Sequence, residues 1–252
     1  EGSNPSLSAI IMNTGSILSQ SFKYAFSNFS KRIREGFPPV LILTIAFNLL
    51  DYLISNEIAT KFTIIIFSIL ITLITSAIGV CVHEEILSNK KFNFLNEFFS
   101  KKNIKYLAGF ILITLIALSP IIIFFVLKDN LNINQNTSAL FIILWIFTTI
   151  FALKLIFILP KIATQENYKL KLTEINDIGS QLFILISIVT IVFLFPSYIY
   201  LFLQISILKS ISETSSFLKP LFDLGSFYIT YMNYLVFFAV ISFSYKTTLI
   251  KK

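Results

Sequence analysis

Residues 62–82, FTIIIFSILITLITSAIGVCV, form an unbroken apolar stretch that decides the class of this protein. A helix that crosses the roughly 30 Å hydrocarbon core of a bilayer needs about 20 mainly apolar residues. The apolar residues are continuous and do not alternate with period two, which favours a helix over a strand of a membrane barrel. This stretch is therefore predicted to be a transmembrane helix.

Five further stretches have the same character. Because backbone groups find no water in lipid, each is predicted to be helical. Charged residues make up 13% of the 252 residues, whereas soluble domains carry about 25%. The predicted fold is all-α, a polytopic membrane protein with six transmembrane helices and amphipathic interfacial helices on the cytoplasmic side. It forms a single domain over residues 12–252, with spans at 38–55, 62–82, 107–127, 140–159, 182–203 and 228–245.

The lysines and arginines are distributed unevenly along the chain, whose net charge is +7. Fifteen of the twenty fall in the N-terminal segment, the alternate connections and the C-terminal segment. Cytoplasmic loops carry this excess, so both termini are predicted to be cytoplasmic. The expected partners are anionic lipid head groups and a membrane protein, not nucleic acid. An abundance of Ile, Lys, Asn and Phe indicates a bacterial source, hence the cytoplasmic (inner) membrane.

The opening residues, EGSNPSLSAII, lack the basic and long apolar regions of a signal peptide. The stretch GSNP can be encoded by GGTTCGAATCC, a consensus of transfer-RNA genes, as expected of a reading frame extended upstream through such a gene. A vector-derived extension is the alternative. Residues 1–11 are therefore expected to be a non-native extension, with Met12 as the native start.

Amphipathic stretches precede the first, third and fifth spans. The first is predicted to be a helix that either lies in the inner membrane interface or packs along the bundle, and that ends at Gly36, Pro38 and Pro39. The chain is then interpreted as three units, each a surface helix followed by a two-helix hairpin. The alternative is that the cytoplasmic loops are simply basic and amphipathic. The apolar faces are predicted to contain Leu18, Phe22, Ala25, Phe26, Phe29 and Ile33, then Phe92, Leu95, Phe98 and Phe99, then Leu172, Ile175 and Ile178.

Two stretches carry a family resemblance: GSILSQSFKYAFSNF at residues 15–29 and FILPKIATQENYKLKLTEINDIGSQLF at residues 157–183. With six spans and short outer loops, the chain resembles the membrane domain of some bacterial glycerophosphodiester phosphodiesterases and related stand-alone six-helix proteins. Pro160 and Glu166 match the proline and acidic residue after the fourth span of that group, whereas its Arg-Ser pair and tryptophan are missing. The resemblance implies the six-helix fold, but no hydrolase activity, because the phosphodiesterase catalytic domain is missing.

Catalytic and metal-binding patterns are scarce in the sequence. Cys81 is the single cysteine and His83 the single histidine, so neither a disulfide framework nor a zinc site of several such residues is expected. The sequence contains no nucleotide-binding, zinc-protease or serine-hydrolase motif. His83, followed by Glu84 and Glu85, is interpreted as a solvated helix cap. No catalytic residue, metal ligand or cofactor is predicted.

Polar residues within the predicted spans are the remaining site candidates. Four share one helical face of the second span, which favours helix packing or, alternatively, a substrate path. Pro120 interrupts the third span and could mark a binding site. An ionisable residue inside a span suggests function, but Lys154 is expected to snorkel to the inner head groups, and Asp51 lies too far away in depth to pair with it. The second-span residues are Ser68, Thr72, Thr75 and Ser76.

Three function classes follow from these patterns. The first is a non-enzymatic membrane protein that organises the membrane or assists a partner, favoured by the architecture and the missing catalytic groups. The second is a small-molecule transporter or permease subunit, for which a wet cavity beside Thr72, Thr75 and Pro120 would be the sign. The third is a membrane-embedded lipid-modifying enzyme, for which only the segment from His83 to Glu85 offers suitable groups.

Overall fold

The computed structural model describes residues 7–127, 135–165, 168, 178–210 and 218–250. Within these ranges the chain is helical without strands, which confirms the predicted all-α class. The assignment of residues 1–11 to an extension stays a prediction; helix α1 begins inside that segment. The helices are α1 Leu7–Phe26, α2 Phe29–Ser55, α3 Lys61–Ser88, α4 Phe94–Phe98, α5 Lys101–Leu127, α6 Gln135–Leu155, α7 Ile158–Thr164, α8 Gly179–Ser210 and α9 Leu218–Ile250.

Six segments of the described chain are long and apolar enough to cross a membrane, which supports the predicted polytopic class. Each contains one predicted span. Their limits are set by local chemistry, as α3 shows: the Thr60 side chain accepts from the Thr63 amide at 3.2 Å, which caps the start of the helix. The helix ends at Asn89, whose φ of 54° is the left-handed conformation of many helix ends.

The fourth predicted span is interrupted, which the apolar pattern did not predict. Helix α6 ends at Leu155 and α7 begins at Ile158. Pro160 has no amide hydrogen to donate to the Ile156 carbonyl, and that carbonyl instead accepts from the Leu159 amide at 3.0 Å. The proline therefore produces a tight turn, and α7 packs with buried side chains against α3 and α5.

Helix α2 corrects the predicted break at the N-terminal prolines. The helix continues through Pro38 and Pro39, and the chain breaks earlier, at residues 27–28. Helix α2 contacts α9 on both sides of these prolines. Before them, a β-carbon on Gly36 would meet the Tyr231 ring at 2.4 Å; after them, the Phe47 ring lies 5.6 Å from that of Phe227. Packing against α9 on both sides of the prolines thus accompanies a continuous helix.

Helix α1 packs along the bundle, mainly against α9. Of the two predicted placements, this is the one that the structure shows. The predicted face is confirmed in part: Ala25 is buried, and Leu18 and Phe22 are partly buried against the core. Ile17 and Ser21 are buried as well, whereas Phe26 is 43% exposed. Phe29 and Ile33 belong to α2 and are also exposed. The predicted single helix over residues 18–33 is therefore wrong: the turn at residues 27–28 rotates the two halves relative to each other.

The second amphipathic stretch forms only the five-residue helix α4. Phe94 is buried there, whereas Leu95 and Phe99 are exposed, so the predicted face is wrong at these two positions. Phe92 and Phe98 are partly buried against the core. In the third stretch Leu172 and Ile175 lie outside the described residues, as does Glu166, and Ile178 is half-buried.

The core lies at one end of the bundle, which we call the packed end. It contains the second half of α3, the first turns of α5, all of α7 and the second half of α9. Residues 74–84 of α3 are buried without exception, whereas residues 61–73 are half-buried or exposed. Helix α9 is central, because it packs against α1, α2, α3, α7 and α8. The other halves of α3, α5, α6 and α8 present apolar side chains outward.

Candidate functional site

Residues 76–85 of α3, which we call the polar segment, place three buried polar side chains close together along one helix. Ser76 and His83 are fully buried and Glu84 is 4% exposed. Together with Glu85, these side chains bond to α1, α2, α5 and α9. The polar segment is therefore the candidate site that the fold assembles.

His83 is held between α5 and α9. Its Nδ1 lies 2.6 Å from the Ser242 hydroxyl oxygen, and its Nε2 lies 2.9 Å from the Tyr106 hydroxyl oxygen. The His83 side chain has no exposed surface. The sequence interpretation of His83 as a solvated cap is wrong, because the helix continues beyond it and α5 and α9 cover it.

The hydrogen-bond partners decide which group donates at each step between Tyr106, His83 and Ser242. The Ser242 hydroxyl has the Phe238 carbonyl as an acceptor at 2.9 Å, so His83 Nδ1–H donates to Ser242. Nε2 is then the acceptor for the Tyr106 hydroxyl. This is the arrangement that uses every hydrogen, and it places the His83 proton on Nδ1. Because both ring nitrogens are occupied, His83 acts as a connector between helices and is not available as a base for a substrate.

Glycine at position 79 permits this arrangement. A β-carbon there would lie 2.5 Å from the Tyr106 hydroxyl oxygen and 2.9 Å from the Phe238 ring. Both distances are shorter than van der Waals contact, so α5 and α9 can approach α3 this closely only because the residue is glycine. Gly79 lies one turn before His83 on the same face, and the close approach brings the Tyr106 hydroxyl within reach of the imidazole.

Glu85 joins α3 to α1 and α2. Its carboxylate accepts from the Tyr24 hydroxyl at 2.6 Å, from Lys31 Nζ at 2.8 Å and from Arg32 at 2.7 Å. Arg32 also donates to Glu35 at 2.7 Å, and its guanidinium carbon lies 4.1 Å from the centre of the Tyr24 ring. Two cations thus meet two carboxylates, and the cluster is neutral, as burial requires.

Tyr24 is the member of this cluster that lies outside the membrane-spanning segments. Burial raises the pKa of the Tyr24 phenol well above its ordinary value, an effect that the nearby Arg32 charge opposes and the Glu85 charge supports. The phenol therefore stays protonated over the physiological range. It is a permanent donor to Glu85 and ties α1 to α3.

Glu84 and Asn103 complete the contacts of the polar segment. Glu84 pairs with Lys102 of α5 and, at 2.8 Å, with Lys90 of the connection that follows α3. The Asn103 side-chain oxygen lies 2.6 Å from the Ser76 hydroxyl, and its nitrogen donates to the carbonyls of Leu73 and Phe98. These bonds hold α3, α4 and α5 together.

The predicted second-span face divides between interior and surface. Thr75 and Ser76 are buried, Thr72 is half-buried and Ser68 is exposed, contrary to the expectation of one interior face. The Ser68, Thr72 and Thr75 hydroxyls donate to carbonyls of their own helix, as for Thr72 to Ser68 at 2.7 Å. This is the usual arrangement of hydroxyls in membrane helices.

Pro120 and Lys154 lie away from the polar segment. Pro120 is buried in α5, and the Ile116 carbonyl, which loses its helical donor to the proline, accepts from the Ser119 hydroxyl at 2.9 Å. Lys154 is half-buried near the end of α6. Its stem packs on α8, where a β-carbon on Gly179 would lie 2.6 Å from the Lys154 Cγ. The structure thus does not bring the predicted candidates into one site.

Two apolar pockets lie outside the polar segment. One, of about 390 Å³, lies between the α1–α2 junction, α8 and α9. The other, of about 350 Å³, lies between α5 and α6 and includes Trp145. Neither is lined by Thr72, Thr75 or Pro120, the residues beside which a wet cavity would favour transport.

In the described part of the chain, no three His, Cys, Asp or Glu side chains lie close enough together to bind a metal ion. Comparisons with protein-family models, curated protein sequences and solved structures give no significant match for this chain. The function is therefore inferred from the geometry of the polar segment. That geometry joins α1, α2, α4, α5 and α9 to α3 through hydrogen bonds and ion pairs.

Sequence reasoning missed the role of His83 because Tyr106 and Ser242 lie 23 and 159 residues away. No local motif links the three. The one available signal is Gly79, placed one turn before His83 in a helix otherwise rich in large apolar residues. A small residue at that spacing is typical of close helix contact in membranes.

Proposed function

We propose that this protein is a non-enzymatic six-helix membrane scaffold that organises the bilayer around it or assists a membrane-protein partner. The observation that carries the proposal is the state of the polar segment. Its histidine and carboxylates are bound to neighbouring helices, which stabilises a fixed arrangement and leaves no acid–base pair of the segment facing a cavity. The resemblance to stand-alone six-helix proteins similar to phosphodiesterase membrane domains supports the same conclusion.

The proposed location is the cytoplasmic membrane of a bacterium, with both termini in the cytoplasm. The support comes from the basic residues, which concentrate at the packed end and its connections. Exposed lysines at positions 91, 101 and 105 lie near exposed apolar side chains of Leu95, Phe99 and Ile104. Apolar groups flanked by lysines suit an interface with anionic head groups. Anionic lipids are therefore proposed as partners at this surface.

A partner protein has a suitable surface at the opposite end of the bundle. There α5 and α6 expose large apolar side chains, such as Phe125 at 58% and Phe147 at 66%. In a bilayer such a face is compatible with lipid and with another helix bundle alike, and association would depend on close packing.

Transport is the second candidate function. The observation that favours it is the buried proline of α5, whose freed carbonyl is bound by Ser119, because interrupted helices occur at transporter sites. The apolar linings of the two pockets argue against a polar substrate path at these places. Transport therefore ranks second.

The proposal is tested by photo-crosslinking in cells. A benzophenone amino acid at Phe147 samples the exposed α6 face, and the same group at Ile184 of α8, 55% exposed, is the matched control. A scaffold that assists a partner gives one discrete crosslinked protein from Phe147 only. If both positions crosslink only lipid, the proposed activity is membrane organisation without a protein partner. Solute uptake by proteoliposomes that contain the purified protein would overturn the proposal.

A further inference from the structure

The 390 Å³ pocket at the α1–α2 junction has the features of a ligand site, and we call it the phenyl groove. Its walls include Phe26, Phe29, Phe193, Pro196, Ile229 and Met232. The volume lies within the range of about 300–1,000 Å³ typical of small-molecule sites. The groove is independent of the polar segment, because none of its lining residues belongs to residues 76–85.

Parallel aromatic rings form one wall of the groove. The Phe26 ring stacks on that of Phe193, with centroids 6.4 Å apart and planes 20° apart. It also stacks on Phe29 at 6.4 Å and 10°. Phe22 continues the layer behind them, 6.3 Å from Phe193 with planes 7° apart. A flat layer of rings offers apolar surface along which a hydrocarbon chain can lie.

The polar group nearest to the groove already has a partner. The Tyr228 hydroxyl donates to the Ile33 carbonyl at 3.1 Å. The remaining lining side chains carry no hydrogen-bonding group. An occupant of the groove is therefore apolar where it contacts the wall.

Two cations are close along the chain to residues of this wall. Lys23 precedes Phe26 by one turn of α1, and Arg34 directly follows Ile33 on α2. Both are exposed, and within the described residues neither forms an ion pair, whereas their neighbours Lys31 and Arg32 do. An apolar groove flanked by unpaired cations matches a molecule with a hydrocarbon chain and a phosphate.

We propose that the phenyl groove binds one acyl chain of an anionic phospholipid, and that Lys23 and Arg34 neutralise its head group. The proposal rests on the proposed insertion of the bundle into a bilayer. It goes beyond general attraction of the basic surface to lipids, because it assigns one lipid to one groove.

Native mass spectrometry of the protein in nanodiscs tests this site. The nanodiscs contain equal amounts of phosphatidylglycerol and phosphatidylcholine. Ile229→Trp fills the groove, and Ile191→Trp adds the same bulk to an exposed position of α8. We expect one retained phosphatidylglycerol in the wild type and in I191W, and about tenfold lower retention in I229W, which corresponds to about 1.4 kcal/mol of binding free energy.

Charge removal tests the head-group assignment. The double variant Lys23→Gln with Arg34→Gln is expected to retain a lipid but to lose the preference for phosphatidylglycerol, whereas Lys61→Gln, at an exposed lysine of α3, keeps it. Equal lipid retention by I229W and I191W, an unchanged preference in the double variant, or a second protein chain in the groove would overturn the proposal.

If the I229W variant does not fold, a second measurement tests the same site. A benzophenone at Phe29 is expected to crosslink phosphatidylglycerol more than one at Ile191, and equal crosslinking overturns the proposal. If both positions crosslink no lipid, the chain is not inserted, and the proposed function itself fails. These outcomes distinguish the two proposals.

Discussion

Gly79 lies against Tyr106, so closely that a β-carbon on the glycine would stand 2.5 Å from the Tyr106 hydroxyl oxygen. The same hydroxyl bonds to His83, one turn further along α3, at 2.9 Å. The close approach and the hydrogen bond are two parts of one contact. A change at either residue therefore acts on both.

Gly79→Ala is expected to destabilise the protein by about 1–3 kcal/mol, because the added methyl must displace Tyr106 or Phe238 in a packed interior. The midpoint of thermal unfolding in detergent measures the effect. Gly15→Ala is the control, since a β-carbon there meets no atom within 4 Å, and in a helix it is expected to be slightly stabilising. Equal midpoints for the two variants would contradict the close contact.

Tyr106→Phe is expected to cost about 1–3 kcal/mol, because it leaves the fully buried His83 Nε2 without its donor. Denaturant titration of the far-ultraviolet circular dichroism signal gives the change in unfolding free energy. Tyr198→Phe, at a tyrosine that is 66% exposed, serves for comparison and should change stability little. The hydrogen bond carries no energy if both variants unfold alike.

The imidazole of His83 is expected to be neutral with its proton on Nδ1. Nitrogen-15 chemical shifts of histidine-labelled protein report this directly, and the chain has one histidine, so the signals need no assignment. A proton on Nε2 and none on Nδ1 would contradict the prediction, because Nε2 would then donate to Tyr106 and Nδ1 would accept from Ser242. Tyr106→Phe should shift the Nε2 signal more than the Nδ1 signal.

Arg32→Met is expected to destabilise the fold by about 3 kcal/mol, because it leaves the partly buried carboxylates of Glu35 and Glu85 without their buried cation. Lys31→Met removes the other cation that pairs with Glu85. Because the Lys31 side chain is 42% exposed, its loss is expected to cost less than about 1 kcal/mol. Thermal unfolding of both variants gives the comparison. Similar losses would show that the two cations contribute equally, against the structure.

The proposed orientation predicts which connections react with impermeant thiol reagents. In a Cys81→Ala background, Asn56→Cys marks the α2–α3 turn and Lys91→Cys marks the segment after α3. Both positions are exposed. In intact cells we expect labelling of Asn56→Cys only, and of Lys91→Cys after permeabilisation. The reverse pattern would invert the topology.

The six spans could be predicted because each depends on a local property, an apolar run of sufficient length. The turn before α7 has a local cause too, but Pro160 lies inside an apolar run, and hydropathy alone does not locate the helix end. The prolines of α2 show the opposite case. Local rules predicted a break at Pro38, yet the helix continues there, because packing against α9 supports it and the break is displaced to residues 27–28.

The polar segment could not be predicted for a different reason. Its partners come from α1, α2, α5 and α9, and a single sequence contains no signal that pairs Ser242 with His83. The predicted polar face of α3 was based on spacing alone, which places Ser76 inside but also Ser68, which is exposed. Helical spacing gives the direction of a side chain, not the neighbour that covers it.

The central position of α9 has a consequence for biosynthesis. This helix follows the other described helices in the chain, so the ribosome makes it after them. Its contacts reach back 159 residues from Ser242 to His83 and 168 residues from Lys219 to Asp51. Until α9 enters the membrane, the His83 imidazole lacks one of its two hydrogen-bond partners, and the Asp51 carboxylate lacks Lys219.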